Sequence, residues 1–316
     1  MSETTESSQS GATTAAILYL HAQTAMHPGS GTALGTVDLP VQRERHTQWP
    51  VVPGSALKGI LRDRCREQAR TRFENSRKRA NEEDPQLVSA FGPARVDGDN
   101  AHAGALSISD ARLLAFPVRS LKGVFAWVTC PAVLERYGRD LALAGVRLDW
   151  KIPYVGSEKA LVLKTSPLIV DENQLVLEEF QFESIGDSPN ARSWIAAQVC
   201  CDEYTKRRLE SNLVVLCDDD YTHFVKHATE VTARIALDYE TKTVKGTALF
   251  YQEFLPAESL FYSVVFAAAS RRKDDPATAG DTMRYLASNI PDGTVLQVGG
   301  DETTGKGICL ARLAIK

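Results

Sequence analysis

The tract from His27 to His46 gathers two histidines, one isolated aspartate, Asp38, and the arginines Arg43 and Arg45 behind a run opened by Gly29, Gly31 and Gly35. Glycine lets a backbone approach a polyanion, arginine presents a planar fork that matches phosphate, and a carboxylate near an imidazole can serve proton transfer or hold a metal ion. Together these residue types point to phosphodiester chemistry. Taken alone, Asp38 reads equally well as a hydrogen-bonding aspartate in a turn beside Pro40. Its neighbours raise it: His27 lies eleven residues earlier across a loop able to fold back, and Arg43 and Arg45 can neutralise a nearby phosphate.

These residues need elements to hold them. Residues 17–22, β-branched and aromatic at their start, read as a buried strand that delivers the chain into the tract. Trp49-Pro-Val-Val-Pro-Gly54 is turn-rich, and Ser55 is expected to cap a helix whose apolar residues Leu57, Ile60, Leu61 and Cys65 follow three-and-four spacing. Lys58, Arg62 and Arg66 share the opposite side of that helix. The apolar stripe fades after Arg72, which predicts a frayed extension or loop over 73–86. Strands are expected over 105–109, within 121–128, over 161–168 and over 175–182. A short helix should open at Pro131, and 187–208 reads as partly helical. Residues 231–251 alternate around a polar centre and predict a long β-hairpin. A strand over 260–269, a helix over 282–288, a lead-in at 294–298 and a closing strand over 308–315 complete an α+β chain.

With 316 residues, 43% of them hydrophobic, the chain can bury a sizeable core. Residues 1–16, rich in Ser and Thr, read as a disordered tail and not as a signal peptide. No run approaches the roughly 20 apolar residues of a membrane helix, so a soluble, cytoplasmic protein with no membrane partner is expected. The six cysteines form no Cys-x-x-Cys pair, which argues against a zinc ribbon or a disulfide framework. A formal net charge of −4 disfavours nucleic acid, but eleven Lys or Arg against four acids between Arg43 and Arg79 reverse that locally. The plainer reading of that run is a solvated helix face.

Two further motifs carry weaker chemistry. Gly300-Asp-Glu-Thr-Thr-Gly305-Lys306 matches the start of a nucleotide phosphate loop, yet Gly307 stands where a magnesium-binding Ser or Thr is required and a strand is expected to follow. Its backbone amides with Thr303, Thr304 and Lys306 can still hold another phosphate. His223 and His227 have the spacing of helical metal ligands, but the three aspartates before them are explained by the start of a helix.

Taken in order, His27-Pro-Gly-Ser-Gly, Val37-Asp-Leu-Pro-Val-Gln-Arg-Glu-Arg-His46, Pro53-Gly-Ser-Ala-Leu-Lys-Gly59, Phe116-Pro-Val-Arg-Ser-Leu-Lys-Gly-Val-Phe-Ala-Trp127, the stretch 234–262 and Val298-Gly-Gly-Asp-Glu-Thr-Thr-Gly-Lys-Gly307 resemble the fourth-subunit family of the type III-B CRISPR Cmr complex, a backbone RAMP family. The resemblance implies an RRM or ferredoxin-like palm in a single domain over 17–316, with a fingers insertion within about 60–104 and a β-hairpin thumb within 231–256. It further implies head-to-tail stacking of copies along a guide crRNA beside other Cmr subunits, and cutting of complementary target RNA at regular intervals where the thumb interrupts the duplex. By resemblance Asp38 takes the catalytic position and His27 supports it, while Ser55, Lys58 and the 299–307 loop, including Gly299 and Gly300, match guide-backbone contacts. Leu237, Phe250 and Tyr251 are wedge candidates in the thumb. A divalent cation such as Mg or Mn at Asp38 is an option, and no organic cofactor is implied. The competing readings are a non-catalytic guide-binding backbone and a stand-alone nuclease that processes guide precursors.

Overall fold

The nine residues of Thr14–Ala22 contain no acid, lysine or arginine, and they form the central strand of the molecule, β1. The computed structural model describes residues 13–32, 37–95, 101–199 and 202–315. After β1 come β2 (Val51–Val52), α1 (Gly54–Arg70), α2 (Arg77–Glu83), α3 (Pro85–Phe91), β3 (Leu106–Ile108), β4 (Ala111–Arg119), β5 (Phe125–Thr129) and α4 (Pro131–Leu143). The middle of the chain gives β6 (Lys159–Val162), β7 (Gln174–Leu177), β8 (Phe180–Gly186), α5 (Pro189–Val199), α6 (Glu203–Asn212), β9 (Leu213–Val215) and α7 (Asp218–His227). A hairpin of β10 (Glu230–Leu237) and β11 (Val244–Phe254) leads into β12 (Leu260–Ala267), α8 (Ala279–Asn289), β13 (Thr294–Gln297) and β14 (Ile308–Ile315).

One twelve-stranded sheet runs β13-β14-β1-β12-β4-β5-β9-β6-β8-β7, with β2 beside β4 and β3 beside β12. Its centre, β14-β1-β12-β4, is the order produced by two interleaved βαβ units, α1 linking β1 to β4 and α8 linking β12 to β14. This is the expected RRM or ferredoxin-like α+β core. Helix α1 buries Leu57, Leu61, Cys65 and Ala69 on one face, beside Met283 and Leu286 of α8. The other face is closed by α4 and α5. There the cross-strand pair Tyr19 and Tyr262 meets Tyr137, whose hydroxyl lies 2.6 Å from that of Tyr19 and accepts from Trp194 Nε1 at 3.1 Å. Covered on both faces, β1 is buried along all but its first two residues. Burial also pushes the Cys65 and Cys309 thiols up to about 12, so neither is a ready nucleophile at neutral pH.

The structure corrects several expectations. Strand β1 starts at Thr14, inside the stretch read as a tail, because Thr14, Ala15 and Ala16 find backbone partners on β12. Ser55 does not cap α1; the helix opens at Gly54 after Pro53, and the Gly54 amide donates instead to Asp110 Oδ1 at 2.7 Å. A Cβ on Gly54 would stand 2.4 Å from the Ile108 carbonyl oxygen, so the close approach needs glycine. Residues 73–86 are not a loop but include α2 and the start of α3, and most of the residues expected in a strand over 161–168 lie beyond the end of β6 at Val162. The run expected within 121–128 is β5, whereas β4 at 111–119 falls outside every expected strand.

Helices α2 and α3 are short and depend on their caps. Asp84, fully buried, accepts from the Gln86 and Leu87 amides at 3.0 and 3.2 Å and pairs with Arg72 at 2.7 Å. Asp84→Ala should therefore lower the unfolding free energy by about 1–2 kcal/mol, read from the urea midpoint, with Asp84→Asn recovering most of the loss.

Candidate active site and nucleic-acid interface

A two-stranded hairpin leaves one backbone edge of each strand unpaired, and the outer edge of β11 is where the chemistry-bearing tract docks. Tyr251 donates its amide to Asp38 Oδ2 at 2.7 Å, and its carbonyl accepts from the Leu39 amide at 3.1 Å. Two residues on, the Glu253 amide donates to the Leu39 carbonyl at 3.0 Å and the Glu253 carbonyl accepts from His27 Nδ1 at 2.7 Å. The tract does fold back on itself: Gly29 bridges to Val41, and the Gln42 amide donates to Pro28 at 2.7 Å. His27 and Asp38 thus grip backbone groups about 7 Å apart along one strand. Asp38 is exposed, and its Oδ1 has no hydrogen-bond partner among the described residues. His27 is only 8% exposed, with Nε2 turned toward Gly29, where a Cβ would stand 2.7 Å away.

The Glu253 side chain fixes the rest of the tract. Its Oε2 accepts from the Val41 amide at 2.9 Å, and its Oε1 from Arg43 Nη2 at 2.6 Å and Thr229 Oγ1 at 2.8 Å. Arg43 spends its other nitrogen on the Gln48 and Val225 carbonyls, so the fork expected to meet phosphate is turned inward. Arg45 is exposed and forms no ion pair among the described residues.

The 299–307 loop packs against the same place. Gly300 donates its amide to the His27 carbonyl at 2.9 Å, and a Cβ on Gly299, φ +92°, would stand 2.4 Å from that oxygen. Asp301, at φ 65°, accepts from Arg234 Nη1 on β10 at 2.7 Å and from Gln252 Nε2 on β11 at 2.6 Å. Lys306 Nζ lies 5.0 Å from the Phe254 ring centre, and the Arg234 guanidinium carbon lies 5.3 Å from it. Thr304 is tied by its hydroxyl to the Asp301 carbonyl, whereas Thr303 is exposed and free of such bonds. Strand β14 follows the loop directly, as a phosphate-binding nucleotide loop would not allow.

Along α1, Ser55 is exposed, Lys58 donates to the Leu106 carbonyl at 2.9 Å, and Arg62 donates to Asn81 at 3.0 Å. Burial, with the positive charges of Arg62 and Arg271, holds the Lys58 ammonium below its ordinary value. Much of the basic run is ion-paired: Arg66 with Asp63, Arg70 and Arg77 with Glu67, Arg72 with Asp84, Arg79 with Glu74 and Glu83. On the hairpin, register separates the wedge candidates. Tyr251 is 42% exposed on the face that carries Val231, Ile235 and Leu249, while Phe250 is half-buried on the face of Arg234 and Phe254. The side chain of Leu237 lies outside the described residues.

The rings of His223 and His227 lie tilted with centres 4.8 Å apart on α7, and no group of three His, Cys, Asp or Glu able to hold a metal occurs among the described residues. The aspartates before them start the helix and brace its surroundings, Asp218 taking the Ala132 amide and Asp220 the Glu158 amide. Sequence reasoning missed Glu253 and Asp301 as organisers. Their only signal was an acid in each of two segments otherwise read for strand pattern or for glycine.

The RAMP superfamily profile matches residues 19–309. A Pyrococcus furiosus protein described as CRISPR system Cmr endoribonuclease Cmr4 is 36% identical over 294 residues, covering 92% of each chain. A Saccharolobus solfataricus protein described as CRISPR system CMR subunit Cmr4 is 25% identical over 312 residues, covering 92% of this chain and 93% of that one. The crystal structure of oligomeric Cmr4 from Pyrococcus furiosus superposes with a TM-score of 0.69 at 30% identity, covering 96% of this chain and 98% of that one. With the superfamily profile spanning residues 19–309 and a 36% identical relative covered over 92% of each chain, the chain belongs to the RAMP superfamily and, within it, to the Cmr4 family.

Proposed function

We propose that the chain is the repeated backbone subunit of a type III-B complex, which binds a guide crRNA and cuts complementary target RNA at regular intervals. The observation that carries the reading is the placement of Asp38: an exposed carboxylate, one oxygen fixed by the Tyr251 amide and the other open, at the root of a protruding hairpin and beside a glycine loop. The similarity to a protein described as an endoribonuclease and to an oligomeric structure supports it. Copies stack head to tail with other Cmr subunits, and a cytoplasmic location follows from the role. Among the described residues no helix is long and apolar enough to cross a membrane.

The reaction is attack of a ribose 2′-hydroxyl on the adjacent phosphorus. An O–P bond forms to the 2′-oxygen, the bond to the 5′-oxygen breaks, and a cyclic phosphate and a 5′-hydroxyl result, which restricts cutting to RNA. A carboxylate is a weak base, so Asp38 acts chiefly by accepting a hydrogen bond from the 2′-hydroxyl and aligning its oxygen with the leaving group. His27, buried and bonded to the Glu253 carbonyl, holds the loop that carries Asp38. Ser55, Lys58, Thr303 and Lys306 contact the guide backbone, with Arg45 and Arg62 extending the basic surface. For a divalent cation such as Mg or Mn the site offers, among the described residues, one open carboxylate oxygen, Asp38 Oδ1, and further ligands would come from RNA and water.

In the assembled complex with guide and target, Asp38→Ala should abolish the regularly spaced cuts while target binding persists. Cutting at the normal rate would refute the assignment and favour a purely structural backbone. Cutting of guide precursor by the isolated chain would favour the processing nuclease. Repeating the wild-type reaction in EDTA separates metal-assisted from metal-free cleavage. Glu253→Gln, which weakens the hold on Val41 and Arg43, should slow cutting between about tenfold and a hundredfold with guide binding unchanged, as gel assays of both would show.

A further inference from the structure

We propose that Asp301 is a positioning residue that ties the thumb hairpin to the guide-side glycine loop, and thereby sets which linkage of the target reaches Asp38. The inference rests on the catalytic reading above and adds a coupling element to it. Asp301 bonds to both strands of the hairpin at once, to Arg234 on β10 at 2.7 Å and to Gln252 on β11 at 2.6 Å. Its own backbone is pinned from the loop side. The Asp301 carbonyl accepts from the Thr304 and Lys306 amides at 3.0 and 3.2 Å, and the neighbouring Gly300 amide donates to the His27 carbonyl.

A residue gripping two strands through one rigid carboxylate restrains rotation of the hairpin about its root, which a single contact would leave free. Cross-strand order supports the direction of the coupling. Gln252 sits between Tyr251 and Glu253, the two residues whose backbones hold Asp38 and His27, so a displacement of Gln252 is felt by both. On the other side, Lys306 lies over the Phe254 ring with Arg234 also within 5.3 Å of it, which joins the loop's own cation to the same cluster. A phosphate drawn to the loop and the angle of the hairpin are therefore two ends of one hydrogen-bonded unit.

The test is made in the full complex with guide and target. Asp301→Asn keeps a residue that tolerates positive φ, so backbone strain is not introduced, but it removes the charge facing Arg234 and sets an amide donor toward Gln252, whose own amide must turn over to accept it. The expected result is a kcat lowered about tenfold, cuts spread onto neighbouring linkages, and guide binding and KM for target unchanged within about twofold. Adding Gln252→Glu supplies an acceptor for the new donor and returns a carboxylate beside Arg234, and should restore both the rate and the cut positions. Three results would each overturn the proposal: wild-type cutting by Asp301→Asn, a parallel loss of guide or target binding, and failure of the paired variant to recover the cut pattern. A 2-aminopurine target read in an Asp38→Ala background keeps the two readings apart. Fluorescence confined to one unstacked position, and spread by Asp301→Asn, supports the coupling whether or not Asp38 proves catalytic; an unchanged profile overturns it.

Discussion

The exposed backbone edge of β11 is the constraint on which the functional end of the molecule depends. A hairpin supplies only one of the two partners that each inner strand of a sheet would have, so the amides and carbonyls of Tyr251 and Glu253 need partners from elsewhere. They find them in the 37–41 segment and in His27, residues more than two hundred positions earlier in the chain. The site is in this sense a third, imperfect strand of the hairpin, and two of its pairing positions are filled by side chains, Asp38 in place of a backbone carbonyl and His27 in place of a backbone amide. The first of these leaves a carboxylate oxygen facing solvent at a place defined by main-chain geometry.

Charge inside this junction is nearly all internal. The Glu253 carboxylate, 6% exposed, answers Arg43, Thr229 and the Val41 amide, and Asp301 answers Arg234 and Gln252. Buried carboxylates of this kind are retained where they select one arrangement over its competitors, because leaving any one partner unpaired is costly. The cations left over for a polyanion are fewer than the basic composition of residues 43–79 implies, since Arg66, Arg70, Arg72, Arg77 and Arg79 are held by acids between Asp63 and Asp84.

Much of the architecture was legible in the sequence where the local pattern coincides with the tertiary one. The closing strand is legible at its observed limits because glycine precedes it and the chain is apolar but for Arg312, and the hairpin is legible from alternation around a polar turn. Strand β4 escaped because Pro117 interrupts a run that otherwise looks central, a position proline rarely takes. Helices α2 and α3 escaped because each has only seven residues and owes its existence to a cap, Ser76 or Asp84. At the site, Asp38 and His27 stood out by type and spacing. The inward turn of Arg43 did not, because its partner Glu253 is 210 residues away and nothing local announces the pairing.

The sealed palm has a consequence for information. An RRM that reads single-stranded RNA does so by stacking bases on aromatic rings of its open sheet face. Here the corresponding rings, Tyr19 and Tyr262, are spent on Tyr137 beneath α4, and among the described residues no such platform remains on that face of the central strands. On the proposed reading, contact with nucleic acid is left to loops, amides and side-chain cations, groups that meet sugar and phosphate alike for every base. A subunit that meets RNA in this way would be indifferent to the message it carries.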